Sequence, residues 1–139
     1  MKKTYDGSCH CGAVRFQADI DLSAGTNKCN CSICAKSRAW FAFVPGAAFR
    51  LTEGAGSLTE YRWTPAGKPE PFLRYNFCRT CGIRAYARGE HESMGGVFYA
   101  VPVTSLDEVD ADELVAAPVN YVDGLHDRFK QKPEDTRLL

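Results

Sequence analysis

The segment Cys29-Asn30-Cys31-Ser32-Ile33-Cys34 carries three of the chain's seven cysteines within six residues. The other four lie in two short motifs, Cys9-His10-Cys11 and Cys78-Arg79-Thr80-Cys81, and no cysteine lies anywhere else. Because seven is an odd number, disulfides cannot pair the whole set, which divides naturally into four and three. Four thiolates complete a closed tetrahedral zinc site, whereas three leave one coordination position open for chemistry. The cysteine count therefore predicts one structural and one reactive metal site.

Length and composition favour one folded unit. A chain of 139 residues is large enough for one core and short for two, so we expect a single domain over residues 1–139. Hydrophobic residues make up 45% of the chain and aromatic residues 12%, which is typical of a globular protein. The 17 basic residues are balanced by 17 acidic ones. This balance argues against a nucleic-acid partner, which requires a basic surface.

The sequence also indicates a compartment. No segment approaches the roughly 20 apolar residues that a transmembrane helix needs, so we expect no membrane partner. The N-terminus reaches Cys9 before an apolar signal region develops. We therefore expect a cytoplasmic protein. In that reducing compartment, clustered cysteines hold metal more often than they form disulfides.

Most of the chain has the pattern of short β-strands. Alternating or continuously apolar runs bounded by turn residues predict strands over residues 13–19, 39–44, 48–52, 57–63, 72–77, 83–87 and 96–101. Residues 32–37 predict one helical turn that carries Cys34, and the acidic residues of 105–114 predict one or two short turns. The fold class is therefore mainly β, with short helical turns and with metal-binding loops at the strand ends.

The first and last motifs predict a closed zinc site formed by Cys9, Cys11, Cys78 and Cys81. We expect Cys9 and Cys11 to share one face of a strand, since residues i and i+2 do so. The other pair lies between two predicted strands, so it is expected at a hairpin tip, where Cys-x-x-Cys-Gly turns the chain around zinc. In zinc-finger peptides such a site supplies about 10–16 kcal/mol of binding energy coupled to folding. Loss of this site should therefore unfold the protein.

The central motif predicts an open metal site formed by Cys29, Cys31 and Cys34. One loop and one helical turn bring the three sulfurs to one ion, and the fourth position stays free for water or substrate. Three thiolates donate more electron density than three histidines, so this zinc would be the weaker Lewis acid. It suits the activation of a soft thiolate better than the production of hydroxide. The catalytic role is therefore assigned to these three cysteines as a hypothesis.

Other ligand sets stay open at this point. His10, His91 or His126 could complete the three-cysteine set and make a second closed site, although none has ligand spacing to it. A single mixed site with spare cysteines is a further alternative, and disulfides are another. The spacings typical of iron–sulfur clusters are absent.

Two polar segments accompany these motifs. Residues 36–38 (Lys-Ser-Arg) follow the central motif directly and are interpreted either as an anion-binding segment or as a solvated turn. The polar tail has Phe129 as its expected anchor. A polar group near the start of this tail, which we interpret as structural, consists of Tyr121, Asp123, His126 and Asp127.

The three motifs, in this order, resemble those of the glutathione-dependent formaldehyde-activating enzyme family, which shares its domain with centromere protein V. The matching segments are residues 7–14 (GSCHCGAV), 29–36 (CNCSICAK) and 77–82 (FCRTCG), and the resemblance spans residues 5–101 approximately. It implies a β-rich zinc fold of the β-tent type with two zinc ions. Position by position, it implies a structural zinc on Cys9, Cys11, Cys78 and Cys81. It likewise implies a catalytic zinc on Cys29, Cys31 and Cys34.

The resemblance also implies an activity. It is that of a carbon–sulfur lyase, which adds the thiol of glutathione to formaldehyde to give S-hydroxymethylglutathione, or catalyses the reverse reaction. The implied partners are a small thiol such as glutathione and an aldehyde, and a homo-oligomer is compatible with the sequence. Two alternatives stay open, a noncatalytic binding module stabilised by zinc and a sensor whose three-cysteine set releases zinc on oxidation.

Overall fold

Ten short strands and two short α-helices form the protein, for which the computed structural model describes residues 1–139. The strands are β1 (Lys3–Ser8), β2 (Arg15–Ile20), β3 (Thr26–Cys29), β4 (Phe41–Pro45), β5 (Phe49–Glu53), β6 (Leu58–Arg62), β7 (Arg74–Cys78), β8 (Arg84–His91), β9 (Gly96–Pro102) and β10 (Val119–Val122). The helices are α1 (Ser32–Ser37) and α2 (Ala111–Ala116). The fold is therefore mainly β, as the sequence pattern predicts.

All seven strands predicted from the sequence are confirmed, with ends displaced by a few residues. The pattern misses β1, β3 and β10. The first two are rich in polar residues, and β10 has only four residues. In β1, for example, only Tyr5 and Gly7 are buried. Pairing with neighbouring strands places such segments in a sheet even where their own hydrophobic pattern is weak.

Both helices have six residues. The first coincides with the turn predicted at residues 32–37. The second begins after Asp110. The carboxylate of Asp110 accepts hydrogen bonds from the N–H groups of Asp112 and Glu113 and so caps the N-terminus of the helix. No helix has the length and the apolar character that crossing a bilayer requires.

The strands form two sheets. The smaller has the order β1-β2-β5, and the larger has the order β10-β3-β4-β9-β8-β7-β6. Neighbouring strands are antiparallel except β3 and β10, which pair in parallel along their whole length, with Cys29 opposite Val122. This parallel pairing brings the chain that follows β10 next to the segment that follows Cys29.

The main core lies between the two sheets. It contains 18 buried residues, among them Phe16, Val101 and Val103. Gly7 pairs with Phe16 across β1 and β2, and a Cβ atom on Gly7 would lie 2.1 Å from Cζ of Phe16. Glycine is required at this position, because any side chain would displace the phenylalanine ring from the core.

A second, smaller hydrophobic cluster lies on the other face of the larger sheet. Its members are Cys29, Cys34, Ala39, Phe41, Tyr75, Ala87 and Ala100. The residues that alternate with these on the strands, such as Ala42 and Val101, belong to the main core. Cys34 lies in α1, so this helix packs on the face opposite to the main core. The central cysteine motif is thereby separated from the core that holds the two sheets together.

Candidate metal centres

Cys9, Cys11, Cys78 and Cys81 come together in space, and we call them the four-cysteine cluster. Their sulfur atoms all lie within 4.8 Å of one another. The Sγ–Sγ distance is 3.7 Å from Cys9 to Cys11 and 3.6 Å from Cys11 to Cys78. A tetrahedral site with Zn–S bonds of about 2.3 Å separates its sulfurs by about 3.8 Å. The four sulfurs therefore fit a zinc ion, and all seven cysteines of the chain are free of disulfides.

Two glycine turns build this cluster. The N–H of Gly12 donates to the carbonyl oxygen of Cys9 at 3.1 Å, and the N–H of Gly82 donates to that of Cys78 at 2.8 Å. Both glycines have a left-handed backbone, with φ of +78° and +74° respectively. Glycine adopts this conformation without the strain that a side chain would cause.

The two halves of the cluster test two predictions. The hairpin tip predicted for the second pair is confirmed, since β7 and β8 pair antiparallel on either side of it. The strand geometry predicted for Cys9 and Cys11 is wrong, because β1 ends at Ser8 and a turn joins the two cysteines. The turn still directs the sulfurs of Cys9 and Cys11 to one point. The two cysteines therefore lie together as expected, but a turn and not a strand places them there.

Backbone N–H groups favour the thiolate forms in this cluster. Hydrogen bonds from the N–H groups of Cys11 and Ile83 lower the pKa of Cys81 to about 6. The N–H of Cys81 in turn lowers the pKa of Cys78. A thiolate is the form that binds metal, so the backbone prepares these side chains for an ion.

The four-cysteine cluster joins the two sheets. Cys9 and Cys11 follow β1 of the smaller sheet, whereas Cys78 and Cys81 lie at the β7–β8 tip of the larger one. Cys9 and Cys78 are buried members of the main core. An ion held by all four sulfurs would therefore cross-link the sheets at the edge of their shared core.

Cys29, Cys31 and Cys34 form the three-cysteine cluster, whose sulfurs also lie within 4.8 Å of one another. Cys29 ends β3, Cys31 precedes the first residue of α1, and Cys34 lies within α1. Hydrogen bonds from the thiols of Cys31 and Cys34, followed by the N–H groups of Cys31 and Gly124, lower the pKa of Cys29 to about 3. Cys29 and Cys34 are buried, and Cys31 is half-buried. The cluster is thus open to solvent mainly at Cys31.

No histidine joins the three-cysteine cluster. The group of ligand atoms within 4.8 Å contains the three sulfurs alone. His126 directs Nδ1 to Asp123, at 2.9 Å from Oδ1. His10 lies in the turn of the four-cysteine cluster, and His91 ends β8. The three histidines considered as a fourth ligand are therefore in other positions or are engaged elsewhere.

A segment from near the C-terminus covers the three-cysteine cluster, and we call residues 122–128 the cover segment. The N–H of Asn30 donates to the carbonyl oxygen of Val122 at 3.2 Å, which extends the pairing of β3 with β10. Gly124 then lies directly against Cys29, since a Cβ atom on it would be 2.5 Å from Sγ of Cys29. A side chain at this position would displace either the sulfur or the cover segment.

A buried hydrogen-bond network fixes the cover segment to the cysteine loop. Nδ2 of Asn30 donates to Oδ1 of Asp123 at 2.8 Å, and the N–H of Leu125 donates to Oδ1 of Asn30 at 2.9 Å. Asp123 is only 5% exposed. The amide of Asn30, together with His126, holds the pKa of Asp123 below its ordinary value. Asn30 lies between two cysteines of the cluster, so this network connects the cover segment to the cysteine loop itself.

The polar group predicted near the C-terminus is divided by the fold. Asp123 and His126 belong to the network over the three-cysteine cluster, Tyr121 lies in β10, and Asp127 instead pairs with a lysine of another loop. Phe129 is 60% exposed, so the prediction that it anchors the tail is wrong. Polar contacts, and not an aromatic side chain, attach this part of the chain.

A very small pocket lies beside the three-cysteine cluster and is lined by Cys29, Cys34, Ala35, Arg38, Ala39, Leu138 and Leu139. Arg38 ends α1 with a left-handed backbone (φ +51°), and its guanidinium donates to the carbonyl oxygen of Leu138. Of residues 36–38, Arg38 alone lines this pocket, while Ser37 donates to the carbonyl oxygen of Ile33. A larger and more open depression contains no cysteine and is lined by Met1, Lys3, Asp110 and Glu113.

Tyr75 packs in the same hydrophobic cluster as Cys29 and Cys34. Burial, followed by the charges of the three nearby cysteines, raises the pKa of its hydroxyl above the ordinary value. The guanidinium carbon of Arg84 lies 5.4 Å from the centre of the Tyr75 ring. The sequence gives no local signal for Tyr75 or for Gly124, because both reach the cluster through strand pairing. Asn30, in contrast, lies between two cysteines of the central motif, so its position in the sequence already indicates that it is near the cluster.

The sequence and the fold were compared with known proteins. The profile of one family, described as "Glutathione-dependent formaldehyde-activating enzyme", matches residues 4–122, which include all seven cysteines. A curated protein of Halomonas elongata, named "Putative glutathione-dependent formaldehyde-activating enzyme", is 36% identical over 80 residues. That similarity covers 55% of this chain and 50% of the other protein, so the match spans half the length of the curated relative.

A solved structure is similar over more of the chain. It is a crystal structure of a Rhodobacter sphaeroides protein with 30% sequence identity and a TM-score of 0.65. The similarity covers 83% of this chain and 99% of the other. The strand arrangement described above therefore has an experimentally determined counterpart.

Proposed function

The chain belongs to the glutathione-dependent formaldehyde-activating enzyme family, and on this basis we propose that it catalyses the joining of a small thiol to an aldehyde. In the reaction, a lone pair on the thiol sulfur forms a bond to the carbonyl carbon. The π electrons of the carbonyl move to its oxygen, which takes up a proton, and the thiol gives up its own. With glutathione and formaldehyde the product is S-hydroxymethylglutathione, and the reverse direction is that of a carbon–sulfur lyase.

The observation that carries this proposal is the convergence of three sulfurs, from Cys29, Cys31 and Cys34, at a position that stays partly accessible. These three side chains would hold a zinc ion while the protein supplies no fourth ligand atom. Zinc, when bound, would supply Lewis acidity that favours the thiolate form of a thiol. The half-buried Cys31 marks the side from which a substrate approaches.

The surrounding residues would prepare this site for substrate. Asn30 and Asp123 hold the cover segment in place, so the two buried cysteines are shielded from water on that side. The uncatalysed addition of thiols to formaldehyde is already easy, so the enzyme has only a modest barrier to lower. Binding both reactants in one site can lower the barrier by that amount, because it converts a bimolecular step into an effectively unimolecular one.

We assign a structural role to the four-cysteine cluster. Its support is the placement of two ligands on each sheet and the burial of Cys9 and Cys78 in the main core. A structural zinc site contributes about 10–16 kcal/mol in zinc-finger peptides. The chain would thus bind two zinc ions with separate tasks. We further propose that residues 1–139 act as one domain in a reducing compartment such as the cytoplasm, since all seven cysteines are free.

The test measures adduct formation from glutathione and formaldehyde with zinc-loaded protein, against the spontaneous rate. We expect acceleration by the wild type and none by Cys31→Ser, which should also lose one of two zinc ions. Ser32→Ala is the matched control, because Ser32 is the exposed neighbour in α1 and should keep full activity. Equal rates for the wild type and Cys31→Ser would overturn the proposal. Two bound zinc ions without any acceleration would favour the noncatalytic binding module.

A further inference from the structure

Tyr75 has a buried side chain whose hydroxyl has no partner in the protein. The residue is 5% exposed, and no hydrogen bond contributes to the shift of its pKa. Tyr5, which is equally buried, instead donates its hydroxyl to Oε1 of Glu113 at 2.8 Å. No fully buried side-chain N or O atom of the chain lacks a partner, so Oη of Tyr75 still reaches accessible space. A hydroxyl that reaches accessible space and has no partner within the chain is free to bind a ligand.

Tyr75 lies near the three-cysteine cluster. Its cross-strand neighbour on β8 is Ala87, and the next residue across, on β9, is Ala100. These small side chains leave space above the sheet, and Tyr75, Cys29 and Cys34 pack together there. The free hydroxyl therefore belongs to a side chain that packs beside the proposed metal site.

Arg84 contacts the ring of Tyr75. Its guanidinium carbon lies 5.4 Å from the ring centroid, a distance typical of a cation–π contact. Arg84 takes part in none of the chain's salt bridges. The contact is made with the ring, so it does not use the hydroxyl group.

Three other polar side chains near the cluster are already engaged. Asn30 uses both its amide N–H and its carbonyl oxygen on the cover segment. The hydroxyl of Ser37 donates to the carbonyl oxygen of Ile33, and the guanidinium of Arg38 donates to that of Leu138. Tyr75 thus offers a donor that needs no rearrangement of existing hydrogen bonds.

We propose that Tyr75 is a catalytic residue whose hydroxyl donates a hydrogen bond to the oxygen of the bound aldehyde. This inference rests on the proposed function. When the thiol sulfur forms its bond to the carbonyl carbon, the carbonyl π pair moves to oxygen, and negative charge develops there. The Tyr75 hydroxyl stabilises that charge and keeps its own proton. The oxygen then takes a proton from water while the thiol proton leaves to solvent, so the tyrosine is unchanged at the end.

The effect of losing this donor should be moderate. Removing one preorganised donor from an oxyanion site lowers kcat by about 100-fold or more in a demanding reaction. Addition of a thiol to an aldehyde requires less stabilisation, so we expect Tyr75→Phe to lower kcat by about tenfold. The phenylalanine keeps the ring, its packing against the cysteines and its contact with Arg84, so the fold and the zinc content should not change.

The experiment has two readouts on zinc-loaded protein. The first is kcat for adduct formation by wild type, Tyr75→Phe and Tyr61→Phe. Tyr61 is the matched control, because it is the exposed tyrosine opposite Tyr75 on β6, with ring centroids 6.4 Å apart. The second readout is calorimetric binding of S-(2-hydroxyethyl)glutathione and of S-propylglutathione, which differ by one hydroxyl in place of a methyl group. We expect the wild type and Tyr61→Phe to prefer the hydroxyl ligand by about threefold to tenfold, and Tyr75→Phe to show no preference.

The outcomes separate this inference from the proposed function. If the wild type accelerates the reaction and Tyr75→Phe does so equally, with the same ligand preference, the role of Tyr75 is overturned and the activity stands. If the wild type fails to accelerate the reaction, the proposed activity is overturned, and the ligand preference decides the inference alone. A hydroxyl preference that Tyr75→Phe abolishes then supports Tyr75 as the donor. Absence of any preference in the wild type, or absence of binding by both ligands, overturns it.

Discussion

The two cysteine clusters use the same ligand chemistry and differ in what they connect. The four-cysteine cluster joins segments 67 residues apart and links both sheets at the edge of the main core. The three-cysteine cluster is contained in six consecutive residues and lies on the opposite face of the larger sheet. A metal that closes a long loop restricts the unfolded chain far more than one bound to a short segment. We therefore expect folding to depend on metal in the four-cysteine cluster and not on metal in the three-cysteine cluster.

The largest expected effect comes from breaking the four-cysteine cluster. Cys81→Ser should unfold the chain, because a structural zinc contributes about 10–16 kcal/mol and a typical domain has only about 5–15 kcal/mol of net stability. Circular dichroism and limited proteolysis of the purified variant measure this. Cys31→Ser is the counterpart in the other cluster and should keep the folded spectrum with one zinc fewer. The contrast between the clusters fails if both variants are unfolded to the same extent.

A smaller effect should follow from filling the space against the three-cysteine cluster. Gly124→Ala places a methyl group where only 2.5 Å is available to Sγ of Cys29. We expect zinc affinity at this cluster to fall by about 100-fold, the upper end of the range for residues that support metal ligands, with folding preserved. Competition with a coloured chelator measures it. Gly56→Ala is the control, since a Cβ atom at Gly56 would contact nothing within 4 Å. If Gly124→Ala leaves the zinc affinity of the three-cysteine cluster unchanged, the close contact of the cover segment with Cys29 does not affect zinc binding.

Breaking the hydrogen-bond network that holds the cover segment should lower zinc affinity less than Gly124→Ala does. Asn30→Ala removes the hydrogen bonds to Asp123 and Leu125, and we expect zinc affinity at the three-cysteine cluster to fall by about tenfold. The four-cysteine cluster should keep its ion in the same titration. Asn27→Ala is a matched control, because Asn27 lies in β3, just before the cysteine motif, and outside the network. If the two variants lose zinc equally, the network does not support the ligands.

The smallest expected effect is the contribution of Tyr5, in the smaller sheet, to the pH dependence of the free energy of unfolding. Burial, together with the hydrogen bond to Glu113, raises the pKa of Tyr5 in β1 to about 12. The unfolded value is about 10, so this contribution to stability is complete below pH 10 and is lost as the pH rises through the folded value. Urea midpoints at pH 9 and pH 11.5 should fall less for Tyr5→Phe than for the wild type. Tyr61→Phe should behave as the wild type does, and an identical fall in all three proteins would contradict the prediction.

The sequence predicts best what local chemistry determines. Hydrophobic alternation identifies seven of the strands, and cysteine spacing divides the ligands into the two sets that the fold brings together. It also predicts a helical turn at residues 32–37, which the structure shows as α1. These features depend on residues close together in the chain.

What depends on distant pairing cannot be identified in this way. β1, β3 and β10 have weak patterns and exist through their neighbours, so the parallel pair that positions the cover segment is invisible in the sequence. Gly124 and Tyr75 acquire their importance only through that geometry. Cys9 and Cys11 show the converse, because the correct partners were predicted from an incorrect backbone conformation.

The parallel pairing of β3 with β10 also sets a timetable for biosynthesis. The last ligand of the four-cysteine cluster is Cys81, whereas Gly124 is translated 43 positions later (124 minus 81). At about 5–20 residues per second, all four of those cysteines are synthesised roughly 2–9 seconds before the glycine. The proposed ion of the four-cysteine cluster thus has its complete set of sulfurs before the cover segment exists, whereas the three-cysteine cluster stays uncovered until residue 124 has been synthesised.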